Sequence, residues 1–92
     1  IFPELPTIAE AVPGFKFLGW NGVMAPKATS RVIVDRLNAV LVNVLKSAET
    51  RNAYALQGEE PAWTTPEEYA RLIREDYERY ARVVKQAGVR VD

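Results

Sequence analysis

Five acidic residues, Glu67, Glu68, Glu75, Asp76 and Glu78, fall within one short stretch of the chain. Carboxylates gathered this way can do acid–base work or hold a divalent cation. Arg71, Arg74, Arg79 and Arg82 interleave with them at i, i+3 and i, i+4 spacing, the pattern of a solvated helix face carrying weak surface ion pairs. No catalytic or metal-binding residue is therefore assigned to the cluster. Tyr69, Tyr77 and Tyr80 lie on the apolar stripe of the same segment, where packing accounts for them. The chain has neither histidine nor cysteine, which removes imidazole and thiolate chemistry, disulfides and the common zinc and haem ligands. A glycine-rich phosphate loop is missing too, and no cofactor is implied. What remains is Trp20-Asn21-Gly22, an aromatic and an amide set between Gly19 and Gly22, where a ligand or another backbone can approach closely. These three residues are the candidate ligand-binding or hinge site. The same tripeptide would equally serve a buried strand with a bulge or bend.

The elements that must position this site follow from pattern. Thr7-Ile8-Ala9-Glu10 has the spacing of a capping box and predicts a short helix from Thr7, broken by Pro13-Gly14. The run from Phe15 to Ala25 is aromatic and β-branched, and it predicts the one strong strand of the chain. Leu18, Trp20 and Met24 would lie on one face and Phe17, Val23 and Ala25 on the other, as in a sheet covered on both sides. Thr29 or Ser30 can cap a helix reaching about Lys46, with Ile33, Leu37, Leu41, Val44, Leu45 and Ala48 facing inward. Ser47 offers a new cap for a helix over 49–57, with Gly58 as its stop. Glu59 to Trp63 can form only a short edge strand, because Pro61 cannot donate to a ladder. Thr65-Pro66-Glu67-Glu68 starts the last helix strongly. Its stripe is Tyr69, Leu72, Ile73, Tyr77, Tyr80, Val84 and Ala87, and Gly88 ends it.

Composition bounds the functional classes. The 92 residues suffice for one domain, and a chain of this length buries only roughly 60–65% of its unfolded surface. Hydrophobic residues make up 48% and charged residues 26%, values of a folding chain rather than a disordered one. Twelve basic residues balance twelve acidic ones, so no global field draws the chain to nucleic acid or an anionic membrane. No apolar run approaches the ~20 residues of a membrane helix, and no export signal stands at the start. The chain opens on Ile1-Phe2-Pro3 without methionine, and it is expected to be a piece of something longer.

Leu5-Pro6-Thr7 with Glu10, Pro13-Gly14-Phe15, Trp20 with Gly22, and Ala25-Pro26 follow one another in an order that is specific as a set. Ile33-Val34-Asp35-Arg36-Leu37-Asn38, Gly58, Thr65-Pro66-Glu67-Glu68-Tyr69 and Val83-Val84-Lys85-Gln86-Ala87-Gly88 continue it. Together they resemble the C-terminal portion of the tripartite tricarboxylate transporter receptors, the Bug family of extracytoplasmic solute-binding proteins. The resemblance covers essentially the whole chain. Departures occur at Val12, Ser30 and Ala48, all at turns or helix starts. The resemblance implies an α/β fold, the C-terminal part of a two-lobed, type 2-like periplasmic binding protein. It would be helix-rich, with one strong buried strand and a short edge strand.

By that likeness, residues 1–17 end one lobe, 18–25 form the crossover strand between lobes, and 26–92 complete the other lobe. The implied partners are a small carboxylated solute and a membrane permease, in the periplasm. Nucleic acid is not among them. An unpaired strand and three competing helical stripes also imply a homo-oligomer or swapped dimer of the chain by itself. A stand-alone interaction or oligomerisation module is the alternative function, and a small enzyme the least supported one.

Overall fold

In the computed structural model, which describes residues 2–91, four helices follow one another: α1 (Ile8–Ala11), α2 (Arg31–Lys46), α3 (Ala48–Leu56) and α4 (Pro66–Ala87). Ile1 and Asp92, the outer ends of the two expected lobe segments, lie outside the described residues.

Local sequence accounts for the ends of α3 and α4, whereas Ser30 flanks α2 as expected but its side chain makes no capping bond. Thr65 Oγ1 accepts from the backbone N–H of Glu68 at 3.1 Å, and Pro66 occupies the first turn of α4, where its missing N–H costs nothing. At the other end Gly88 adopts φ 67°, and the Val89 N–H returns to the Val84 carbonyl at 3.1 Å, closing the last turn. Ser47 separates α2 from α3 with φ −66° and ψ 150°. Its hydroxyl donates to the Val44 carbonyl at 2.7 Å and accepts from the Thr50 N–H at 3.2 Å, so one side chain finishes one helix and starts the next. Thr7 behaves differently from expectation: it flanks α1 but its side chain makes no capping bond. The backbone bond from Glu10 N–H to the Thr7 carbonyl at 3.2 Å takes its place.

The expected α/β class is overturned, because no strand occurs among the described residues. Phe15 to Ala25 has no ladder partner, and Glu59 to Trp63, the expected edge strand, has no regular structure either, the Glu59 N–H returning to the Tyr54 carbonyl at 3.0 Å. An apolar, β-branched composition favours extended φ/ψ, but a strand exists only where a second one supplies hydrogen bonds. Nor is the segment buried. Val23 remains 69% and Trp20 38% exposed. Phe17 and Trp20, expected on opposite faces, both meet α4, as a flat pleat would not allow.

α2 packs against both α3 and α4. Asn38 Nδ2 donates to the Thr64 carbonyl at 2.9 Å, fixing the start of α4 against the middle of α2. Arg31, at the first position of α2, pairs with Asp35 at 2.8 Å and with Glu67 in the first turn of α4. These acids offset a cation placed at the positive end of a helix dipole. The covered face of α2 is Val34, Asn38, Val42 and Leu45; Leu45 lies inward as expected, whereas Ile33, Leu37, Leu41 and Val44, also expected there, are exposed.

No large apolar residue is buried among the described residues. The radius of gyration is 16.9 Å, against about 12 Å for a compact chain of this length. Accessible surface is 8498 Å², against about 5400 Å² for a folded monomer of this mass. The helices thus present apolar faces that they do not cover for one another.

Candidate functional site

The extended segment lies along α4 as a strap held at three places. Phe17 meets Tyr80 edge to face, with ring centroids 6.0 Å apart. Trp20 donates from its indole Nε1 to Asp76 Oδ2 and packs edge-on against Tyr69 at 5.4 Å and 85°. Gly22 lies against the Tyr69 ring so closely that a Cβ there would sit 1.9 Å from the phenolic oxygen. Contacts at 17, 20 and 22 therefore meet residues 80, 76 and 69 in reverse order. The lengths agree: from 17 to 22 extended chain advances about 16 Å, and from 69 to 80 a helix rises about 16 Å.

Trp20 and Gly22, two of the three sequence-predicted site residues, are thus brought onto α4, and Asn21 between them is exposed. The glycine has a definite reason at this point, since any side chain would displace Tyr69.

Asp76 is the residue that sequence reasoning misplaced. Read as part of a solvated acidic face, it is instead 4% exposed, and it is the buried polar residue of the described chain. Its Oδ2 receives Trp20 and its Oδ1 receives the Arg79 guanidinium, so each carboxylate oxygen has a donor of its own. A buried carboxylate needs both a countercharge and hydrogen bonds to offset lost hydration. Arg79 stacks over Tyr80 at 5.2 Å, and its Nε is buried without a partner. The signal for Asp76 was present in the spacing: Tyr69, Leu72, Ile73, Asp76 and Tyr80 form one helical stripe, and all are covered. Tyr77, expected on that stripe, is 77% exposed. The remaining acids fit the expected solvated face, for Glu67, Glu68, Glu75 and Glu78 are all exposed.

Electrostatics elsewhere are superficial. The Arg31 guanidinium donates to Glu67 and holds its carboxyl below the usual range; Arg31 in turn is raised by bonds to Glu67 and Asp35. Lys46 Nζ lies 5.4 Å from the centre of the Trp63 ring. Among the described residues no group of three or more acids is placed to hold a metal ion, and no helix is long and apolar enough to cross a membrane. Two open depressions, of about 620 Å³ beside Ser47 and about 350 Å³ beside Trp63, lie away from the strap. The first is lined by Asn43, Ser47, Glu49, Thr50 and Tyr54 among others, the second by Arg51, Glu59, Glu60 and Trp63 among others, and neither includes a sequence-predicted site residue.

The chain is 40% identical over 84 residues to the "UPF0065 protein in tcbD-tcbE intergenic region" of a Pseudomonas species, covering 89% of this chain and 25% of that one. Over 91 residues it is 36% identical to "Protein BugT" of Bordetella pertussis, covering 98% of this chain and 28% of the relative. A Pseudomonas knackmussii relative, the "UPF0065 protein in clcB-clcD intergenic region", is 30% identical over 84 residues, 50% of its length. The chain thus spans about a quarter of the first two relatives. No solved structure matches it significantly. The profile described as "Tripartite tricarboxylate transporter family receptor" matches residues 1–89, and the chain belongs to that family.

Proposed function

We propose that this chain is the C-terminal part of a periplasmic solute receptor that binds a small carboxylated ligand and delivers it to a membrane permease. The observation that carries the reading is the family match along residues 1–89, in a family named for receptors of a transporter rather than for enzymes. In this reading residues 1–17 end one lobe, 18–25 cross between lobes, and 26–92 complete the other lobe. Trp20, Asn21 and Gly22 then lie at the crossover, where exposed amide and accessible backbone face the ligand or the opposite lobe. The apolar surface left open on the strap and on α2 supports the same reading, since a receptor body three times longer has residues to cover it.

Calorimetric titration of the full-length receptor with di- and tricarboxylates, amino acids and pyridine carboxylates tests it. Micromolar binding of at least one acid is expected, with loss of its uptake when the gene is deleted. A receptor that binds none of them, in cells whose uptake is unchanged by the deletion, would overturn the reading.

The uncovered apolar faces also favour self-association of the 92-residue chain by itself, through the strap or by exchange of an element. A stand-alone interaction module would share that property. The two readings part on whether the full-length receptor binds solute as a monomer.

A further inference from the structure

Asp76 is the one deeply buried charge of the described chain, and the partner on its Oδ2 comes from a segment 56 positions away. Arg79 already supplies the countercharge from the same helix, one turn on. The indole is therefore not needed to neutralise the carboxylate; what it adds is a link from α4 to the strap. Phe17–Tyr80 is an edge-to-face ring contact and Gly22–Tyr69 a close approach of backbone to a phenol, and neither joins one donor to one acceptor. A hydrogen bond to a buried, charge-paired acceptor is directional, and it does not slide.

We propose that Asp76 is a positioning residue: by accepting from Trp20 while paired with Arg79, it sets the register of the strap on α4 and so where Asn21 and Gly22 are presented. The neighbouring contacts follow from that anchor. With Trp20 fixed over residue 76, its ring edge reaches Tyr69 and Gly22 comes against the same tyrosine. The consequence for ligand rests on the receptor reading above, whereas the positioning itself does not.

Two variants of the full-length receptor test the proposal by nuclear magnetic resonance, read on exchange of the Trp20 indole proton and on cross-relaxation between the Gly22 α-protons and the Tyr69 ring. In Asp76→Ala the Trp20 indole proton should exchange with solvent more than about tenfold faster, as expected for loss of a charge-assisted bond, and the Gly22–Tyr69 cross-peaks should weaken, while amides of α3 keep their protection. Trp20→Phe keeps a ring for Tyr69 and leaves Asp76 with Arg79, so it should fold even if Asp76→Ala does not. It too should weaken the Gly22–Tyr69 cross-peaks. Unchanged cross-peaks in Trp20→Phe, or loosening spread equally over α3, would overturn the proposal. Succinate and citrate titrations add the functional arm: if either binds the wild type, both variants should bind it at least fivefold more weakly, by about the same factor together as singly. Failure of both probes to bind the wild type bears on the receptor reading, and the indole exchange and Gly22–Tyr69 cross-relaxation still decide the positioning.

Discussion

Trp20 and Asp76 are joined by a hydrogen bond of 2.5 Å across 56 positions of sequence, from a half-exposed extended segment to the most deeply buried side chain described. That bond ties a stretch without secondary structure to the longest helix. It places an unusual demand on α4, which must keep a carboxylate on its covered face.

Removal of that carboxylate should therefore cost far more than removal of its neighbours. Asp76→Ala leaves Arg79, whose side chain is only 25% exposed, without its countercharge. Urea unfolding of the protein should show a loss of about 3 kcal/mol. Glu75→Ala and Glu78→Ala, on the solvated face, should stay within about 0.5 kcal/mol of wild type. Equal effects at all three positions would return Asp76 to the solvated face.

Gly22 gives a second, independent test of the strap. A Cβ at this position would lie 1.9 Å from Tyr69 Oη and 2.2 Å from Cζ, so Gly22→Ala must push the ring aside. The cost should be about 1–3 kcal/mol, partly through the lost edge-to-face contact with Trp20. In a Tyr69→Ala background the same glycine change should cost close to nothing, because nothing is left to displace. Additive losses in the double variant, measured by thermal and chemical unfolding, would place Gly22 away from Tyr69.

The helices were legible because their ends carry local chemistry: Thr65-Pro66 and Gly88 for α4, Ser47 between α2 and α3. Local bonds of this kind need no distant partner. The strand was misread for the opposite reason. Phe15 to Ala25 has the composition of a strand, but a ladder is a property of two segments, and no second one lies among the described residues. Asp76 was misread because residue type outweighed position. Its spacing from Tyr69, Ile73 and Tyr80 puts it on the covered face, and an acid can occupy such a place once Arg79 and Trp20 both donate to it. The family resemblance, resting on the order of many weak motifs, did not depend on either misreading.

The junction of α2 and α4 should be acid-sensitive. Glu67 is held below the ordinary carboxylate range, chiefly by the hydrogen bond from Arg31. A depressed folded-state value means that its contribution is fully present above the unfolded carboxylate's pKa and is lost as pH falls through the lowered value. Arg31, raised further, stays charged throughout. The melting temperature of the wild-type protein should therefore fall more steeply between mildly and strongly acid pH than that of Glu67→Gln. Added salt should narrow the difference, since both side chains are more than half exposed. Parallel acid limbs for the two proteins would mean that the pair contributes nothing in solution.

Self-association of the isolated chain follows from the surfaces it leaves open. Phe17 keeps two-thirds of its surface in water although it touches Tyr80, and Leu18, Val23 and Met24 on the strap are just as exposed. On α2 the row Ile33, Leu37, Leu41 and Val44 is uncovered, while the adjoining face meets α3 and α4. An extended backbone with free N–H and C=O groups beside apolar side chains is a site for strand addition from another copy. The excess of accessible surface over that of a folded monomer, about 3000 Å², is more than a standard protein interface buries, so a second copy can be accommodated without repacking the helices. Light scattering of the 92-residue chain over a dilution series should therefore report a dimer or larger species that dissociates only at low micromolar concentration. Val23→Asp and Met24→Lys should shift that midpoint upward by about tenfold or more, because each puts a charge on the strap's uncovered flank without touching Trp20 or Gly22. A monomer at high micromolar concentration, with a radius of gyration near 12 Å and protected amides from 15 to 25, would show instead that the chain folds its strap inward and completes its own core.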